Sequence, residues 1–339
     1  MTQPAEEPLR PPRLTCVELC AGAGGQALGL ERAGFTHTTL VELDTDAVST
    51  LHLNRPHWNV LPADVRSLGA SDLRIKGQEI ALLAAGVPCP PFSLAGRQLG
   101  AADERDLFPA VLSLASALQP EAVMVENVKG ILQAKFASYR AAILQELSAQ
   151  GYWTSWRLLQ ACDYGVPQLR PRAVLVAIRP EAVSRFRWPV PTAGPETAPS
   201  VGRVLYESMA SAGWELARQW ADGASRIAPT LCGGSRKHGG ADLGPSRARR
   251  AWAHLGVNGS SVADEPPSPG TPLPVRLTVA QMALLQGFPA DWTFSGRKTS
   301  AYRQVGNAFP PPVAEAVGRS LAYALTQART SLTASAPHA

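Results

Sequence analysis

The sequence predicts a doubly wound α/β domain with a mainly parallel sheet and a second, smaller, loop-rich domain inserted late in the chain. Three observations lead there. Short, nearly continuous runs of Val, Leu, Ile and Ala at 14–19, 38–43, 80–85, 122–125 and 173–178 alternate with stretches of helical period. Strands of that kind are covered on both faces, as in a parallel sheet between two layers of helix. With 339 residues, of which 45% are hydrophobic, the chain can bury a large core and a satellite beside it. After Pro180 the pattern gives way to Pro, Gly and Trp, and proline clusters at 189–199 and 266–274 bracket the region. The expected organisation is therefore a catalytic and cofactor-binding domain over 12–180, a second domain over 181–274 and a return segment over 275–328. Helices are expected at 279–285 and from about 312 to 326, with 1–11 and 329–339 mobile.

Composition narrows the function classes. The longest strongly apolar stretch, 80–87, is too short to span a bilayer, and the polar, proline-containing start lacks a signal pattern, so a cytoplasmic location is expected. The cysteines Cys16, Cys20, Cys89, Cys162 and Cys232 form no C-x-x-C pair, which argues for free thiols and against a structural zinc site. The net charge of +5 is carried by one segment: Arg226, Arg236, Lys237, Arg247, Arg249 and Arg250 face only Asp242 between 226 and 250. A face that basic suits a polyanion, and a solvated loop is the alternative reading.

The chemistry starts at the first strand, where Leu19-Cys20-Ala21-Gly22-Ala23-Gly24-Gly25-Gln26 leads into a helix. Backbone N–H groups at such a turn can meet the negative group of a cofactor, and by itself the turn is compatible with NAD, FAD, S-adenosylmethionine or no ligand at all. Glu42, followed by Leu43, ends the second strand, where a carboxylate can accept hydrogen bonds from ribose hydroxyls. Asp64, followed by Val65, comes after the third strand and can receive an exocyclic amine; a helix N-cap is the plainer role for either acid. Gly86-Val-Pro88-Cys89-Pro-Pro-Phe-Ser93 follows the fourth strand. Prolines on both sides of Cys89 forbid helix and hold it on a turn at the carboxyl edge of the sheet, where open α/β folds bind ligands. The fifth strand ends in Glu126-Asn-Val, and Gln168-Leu-Arg170-Pro-Arg172 adds two guanidiniums a strand later.

A thiol, a carboxylic acid and an arginine beside an adenosine-type pocket fit one reaction well. Cytosine C5 becomes nucleophilic only when a thiolate adds at C6 while N3 receives a proton, which Glu126 would supply, with Arg172 holding the base carbonyl. Arg170, Arg97 and Arg105 are expected to close over the site and contact phosphates.

These segments in this order resemble the DNA cytosine-5 methyltransferase family. The resemblance covers nearly the whole chain outside the variable insert. It rests on the glycine turn at 22–25, Glu42, Asp64, Pro88-Cys89 with Phe92-Ser93, Glu126-Asn127-Val128 and Gln168/Arg170/Arg172. It continues through Arg276-Leu-Thr278, Gln286-Gly-Phe-Pro289 and Tyr302-Arg-Gln-Val-Gly-Asn307. The resemblance implies S-adenosylmethionine as cofactor, Cys89 as nucleophile, Asn307 against the first glycine turn beside the methionine part of the cofactor, and Ala308 in the same cofactor pocket. Two positions depart from the family pattern: Cys20 stands where phenylalanine is usual, and Ala308 where serine often follows the asparagine.

The resemblance also implies that double-stranded DNA is the partner and that the insert reads it, with Thr230 in a Thr-Leu core. A cytosine must rotate out of the duplex to be reached, at a cost of roughly a few kcal/mol. Ser93, Gln168, Thr230, Arg236, Lys237 and Arg247 are the expected DNA contacts, those that pair with guanine contributing about 1–3 kcal/mol of discrimination each. Trp214, Trp220 and Trp252 read as core. A chain of this length suggests a prokaryotic monomer, with a cognate restriction endonuclease as a possible companion. An RNA cytosine-5 methyltransferase acting on transfer RNA is a second reading, against which stands the absence of a Cys-Phe-Thr tripeptide. A silent DNA-binding regulator is a third, opposed by the presence of both Cys89 and Glu126, and a nucleotide-dependent oxidoreductase leaves the Pro-Cys turn without a role.

Overall fold

Seven strands form one sheet: β1 (Leu14–Leu19), β2 (Phe35–Glu42), β3 (Val60–Pro62), β4 (Leu82–Gly86), β5 (Ala122–Val128), β6 (Trp153–Gln160) and β7 (Pro171–Ile178). Their spatial order is β3-β2-β1-β4-β5-β7-β6 in a computed structural model that describes residues 13–73, 79–88, 106–233 and 240–334. The first five strands run parallel, and β7 runs antiparallel between β5 and β6. The expected doubly wound, mainly parallel sheet is what the chain forms. In chain order the helices are α1 (Gly25–Arg32), α2 (Thr45–Asn54), α3 (Ala70–Leu73), α4 (Phe108–Leu118), α5 (Ala137–Ala149) and α6 (Pro180–Val183). They continue with α7 (Val201–Ala210), α8 (Ala217–Gly223), α9 (Ser246–Ala253), α10 (Val279–Leu285), α11 (Lys298–Asn307) and α12 (Pro311–Ala334).

The continuous apolar runs follow from the two-sided burial. Successive strand residues point to opposite faces. Cys16, Leu82, Ala84, Met124, Val174 and Val176 pack with Leu30 of α1 and with Val313, Val317 and Leu321 of α12. Val17, Leu83, Ala85, Val123, Val125 and Leu175 pack on the other face with Val111 and Leu114 of α4 and with Ile143 and Leu147 of α5. Burial of each Val, Leu or Ile contributes about 1.5–3 kcal/mol, so both layers are needed to offset the entropy of ordering a long chain.

The edges and the insert differ from the sequence reading. Strand β6 was not anticipated, because an edge strand leaves one side to solvent and its pattern is broken by exposed Trp153 and Leu158. The insert is less loop-like than its prolines suggest: α7 buries Val201, Leu205 and Met209 at helical spacing, and Ser200 caps it by accepting from the Arg203 N–H. Trp214, Trp220 and Trp252 are buried there, in an apolar cluster that continues into Met282, Phe288 and Trp292 of the return segment and Leu51 and Trp58 near α2. The expectation of a mobile tail from 329 is corrected as far as 334. Helix α12 runs to Ala334, and Arg329 pairs with Glu121 at the start of β5. Residues 1–12 and 335–339 lie outside the described part. Among the described residues no helix is long and apolar enough to cross a membrane.

Helices α1 and α12 touch backbone to backbone. A β-carbon at Gly29 would lie 2.4 Å from the Pro311 carbonyl oxygen and 2.6 Å from the Ala314 β-carbon. Alanine at position 29 would gain about 1 kcal/mol of helix propensity, but the main chain it meets cannot rotate away, and overpacking costs about 1–3 kcal/mol. Gly29→Ala is therefore expected to destabilise the protein by up to about 2 kcal/mol, read as a lower urea midpoint with unchanged slope.

Candidate active site

The carboxyl ends of β1, β2, β4 and β5 meet at one edge of the sheet, and the functional side chains follow from that. Leaving β1, the chain turns through Cys20, Gly22 and Gly24, all at positive φ (55°, 55° and 84°), before Gly25 opens α1. The turn needs glycine for space as well as conformation. A β-carbon at Gly24 would sit 2.8 Å from Leu51 Cδ2, and one at Gly25 would sit 2.3 Å from the Phe309 carbonyl and 3.3 Å from the Ala308 β-carbon. Ala308, 9% exposed, thus lies against the glycine turn, while the Asn307 carboxamide lies close to Gly233. The Trp292 indole N–H donates to the Ala23 carbonyl at 3.2 Å. Ala21 is buried and donates its N–H to the Val41 carbonyl, which ties the turn to β2.

Glu42 fixes the turn from β2. Its Oε2 accepts the Gly22 N–H at 2.7 Å, and its Oε1 accepts those of Leu43 and Asp44 at 2.8 and 2.7 Å. A carboxylate offers about four acceptor sites, so capacity remains for a hydroxyl of a bound nucleoside. Burial pushes the Glu42 carboxyl above the usual range, against the pull of those backbone donors. The next side chain, Leu43, is 64% exposed and offers an apolar face at the strand end that a flat heterocycle would cover. Asp64 caps a short 3-10 turn that begins at buried Val65, accepting the Arg66 N–H at 2.9 Å, and pairs with the Arg66 guanidinium at 2.6 Å. That pair holds its carboxyl below the usual range. Pro88, half-buried, closes the same edge from β4. A glycine cradle, a ribose-type acceptor and an apolar shelf fit an adenosine-bearing cofactor.

Cys20 is not a competing nucleophile. Burial and the neighbouring Glu42 and Asp64 carboxylates push its thiol far above the ordinary cysteine range, so it stays protonated. Its left-handed backbone stores about 1–3 kcal/mol of strain.

Sheet register brings Glu126 and Arg172 together. Glu126 lies opposite Gly86 on β4 and opposite Val174 on β7, so Arg172, two residues before Val174, is its diagonal neighbour on the same face. Arg172 Nε lies 2.7 Å from Glu126 Oε1, with both side chains under 10% exposed. Burial raises the Glu126 carboxyl, and the Arg172 and Arg170 guanidiniums pull it back down. Cys89, Ser93, Arg97 and Arg105 lie outside the described residues, as do Arg236 and Lys237.

Two expected nucleic-acid contacts are corrected. Arg170 is 0% exposed and cannot reach a phosphate. Its Nη1 donates to the Leu231 carbonyl at 2.7 Å, and its Nη2 to those of Gly306 and Ala308 at 2.7 and 2.9 Å. Gln168, also 0% exposed, donates to the Leu285 carbonyl and Gln286 Oε1 and accepts the Leu231 N–H at 2.9 Å. Both residues are spent on protein because the chain after β6 runs beneath the insert. Thr230 donates its hydroxyl to the Leu169 carbonyl, and Arg247 stands exposed on α9.

Sequence reasoning missed two positioning groups. Gln286 donates to the Val305 carbonyl at 2.7 Å, and a glutamine ending the apolar run Met282-Ala-Leu-Leu was the available signal. Glu18, fully buried in β1, meets His37 Nε2 of β2 at 3.1 Å; a carboxylate inside an apolar strand run was its signal.

The family described as C-5 cytosine-specific DNA methylase matches residues 14–322. The chain is 53% identical over 315 residues to the type II methyltransferase M.NaeI of Lentzea aerocolonigenes, covering 92% of this chain and 75% of that one. It is 48% identical over 316 residues to the type II methyltransferase M.NgoMIV of Neisseria gonorrhoeae, covering 92% and 98%. In fold it resembles the crystal structure of a prophage-encoded DNA modification methyltransferase of E. coli, with TM-score 0.63, 24% identity and 91% and 98% coverage.

Removing Arg170 would leave the Leu231 and Gly306 carbonyls without this donor and the Ala308 carbonyl with only the 3.3 Å contact from Gln286, at about 1–3 kcal/mol for each group affected. Arg170→Ala is expected to lose at least about 3 kcal/mol in chemical denaturation. Arg170→Lys should recover little of it, because an ammonium cannot reproduce the planar fork; full recovery by lysine would show that charge alone is what the site needs.

Proposed function

The chain belongs to the C-5 cytosine-specific DNA methylase family, and from that premise we propose a sequence-specific enzyme that methylates a flipped-out cytosine through a covalent Cys89 adduct. The observation that carries the reading is the buried Glu126–Arg172 pair, 2.7 Å apart. It lies beside Gly86, from which the chain runs through Pro88 to Cys89. S-adenosylmethionine, held by the glycine turn, Glu42, Leu43, Asp64 and the 307–308 segment, supplies the electrophilic methyl group when bound.

The Cys89 thiolate adds to C6 of the cytosine, forming an S–C6 bond, while Glu126 gives its proton to N3 and the C5–C6 π electrons become available at C5. Arg172 orients Glu126 and donates to the base carbonyl. After C5 is methylated, the C5 proton passes to water, the C6–S bond breaks to expel the Cys89 thiolate, and N3 returns its proton to Glu126, which restores the neutral aromatic ring and frees both side chains. Burial of Glu126 serves this chemistry, since a carboxyl held above its ordinary range gives up its proton less readily to water and is more often available as a donor. The region 181–274 acts as the target-recognition domain, and the enzyme works as a cytoplasmic monomer on double-stranded DNA. Two relatives named type II methyltransferases support a role beside a cognate restriction endonuclease.

Base-resolution 5-methylcytosine sequencing of a methylation-free host tests the reading. Wild type should methylate one short motif and Cys89→Ala none; unmethylated DNA from an abundant, folded wild type would overturn it. The pH dependence isolates Glu126. Its raised carboxyl places the loss of proton donation, the alkaline limb of the profile, at higher pH than an ordinary carboxyl would. Glu126→Gln should slow single-turnover methylation by about 10²–10⁴-fold and abolish the alkaline limb. An alkaline limb that survives in Glu126→Gln assigns the proton to another group.

A further inference from the structure

Trp214, Trp220 and Trp252 of the insert are buried, and the last of them orients a basic helix. Trp252 is 0% exposed and anchors α9 in the apolar cluster. The residues opposite it at helical spacing are Arg247, Arg250 and His254, at i, i+3 and i+7, all exposed; His254 continues the helical backbone at the C-cap. Arg249 lies on the flank, its stem against Gly259. Across the described surface, cations commonly sit against an acid: Arg55 with Glu31, Lys298 with Asp264, Arg303 with Asp44 and Arg319 with Glu315. Among the described residues neither Arg247 nor Arg250 makes an ion pair. The nearby Asp242 is turned to its own loop, accepting the Gly244 N–H at 2.8 Å.

We propose that the Arg247/Arg250/His254 stripe of α9 docks on the phosphate backbone of the DNA duplex, and does not read base edges. The proposal rests on the target-recognition role given to the insert and sorts its basic residues. A guanidinium that reads guanine must be aimed at O6 and N7 together, whereas no hydrogen bond among the described residues holds either of these side chains. Exposed guanidiniums that no described group orients, on a helix anchored by Trp252, suit neutralisation, in which charge matters and planar geometry does not. From i to i+7 the stripe rises about 10 Å, about the axial length of three phosphates on one strand at 3.4 Å each.

The test is the salt dependence of binding, measured by fluorescence anisotropy with full-length protein on a duplex bearing the methylated motif and on one lacking it. Each lost phosphate contact lowers the log–log slope by about 0.9, so R247A/R250A should lower it by about 2 and weaken both duplexes by the same factor. R247K/R250K should restore the slope, and R319A, which removes a distant surface charge, should leave it unchanged. R247Q/R250Q, which keeps the long stems, repeats the reading if the alanine variant does not fold. An unchanged slope, or an equal fall in R319A, overturns the proposal. So does a loss confined to the motif-bearing duplex that lysine fails to repair, because that marks base reading. Wild type that binds neither duplex would sink the DNA-recognition role itself, whereas wild-type binding with unaltered variants sinks only the stripe.

Discussion

The buried guanidinium of Arg170 is the contact on which the active-site edge depends. Its fork is committed to main-chain carbonyls of Leu231, Gly306 and Ala308, so the start of β7, the insert and the segment after α11 share one donor. Gln168 and Gln286 complete the polar cluster from either side. Buried backbone carbonyls are costly when unpaired and become specific when satisfied, so the arrangement admits one register of these segments. Ala308 is held against the glycine turn by the same contact, and Arg172 stands two residues beyond on the strand that Arg170 begins. The cofactor-type pocket and the Glu126–Arg172 pair are thus positioned by one interaction that touches neither ligand.

Electrostatics at the edge are graded by solvent. Asp64 stays ionised beside Arg66 in partial contact with water. Glu42 is more enclosed and offset by backbone N–H groups, and its carboxyl moves upward all the same. Glu126 is the most secluded of the three, and even a 2.7 Å approach from Arg172 does not cancel the cost of burying its charge. Three carboxyls along one sheet edge therefore differ in proton affinity through their surroundings: the Arg66 contact lowers Asp64, and burial raises Glu42 and Glu126.

Much of this was legible in the sequence. The strands with apolar residues on both faces announced themselves, and their ends delivered Glu42, Asp64 and Glu126 to a common edge because a parallel sheet directs all carboxyl ends the same way. Strand β6 escaped because an edge strand need not be apolar, and α7 because its short period lies between prolines and tryptophans. The roles of Gln168 and Arg170 were unreadable for a different reason. Polar side chains beside a catalytic strand look like ligand contacts until one knows that carbonyls from positions 231, 285, 306 and 308 arrive around them. Those partners lie 61 to 138 residues away, and no local pattern encodes them.

At Leu231 the clamp grips only main-chain atoms: Gln168 accepts its N–H and Arg170 donates to its carbonyl. The identity of neighbouring side chains is therefore invisible to the clamp. The surface of the insert can vary, and with it the DNA sequence recognised under the function proposed above, while its fastening to the sheet edge stays as it is. The molecule is built like a tool with an interchangeable bit, whose shank is peptide backbone.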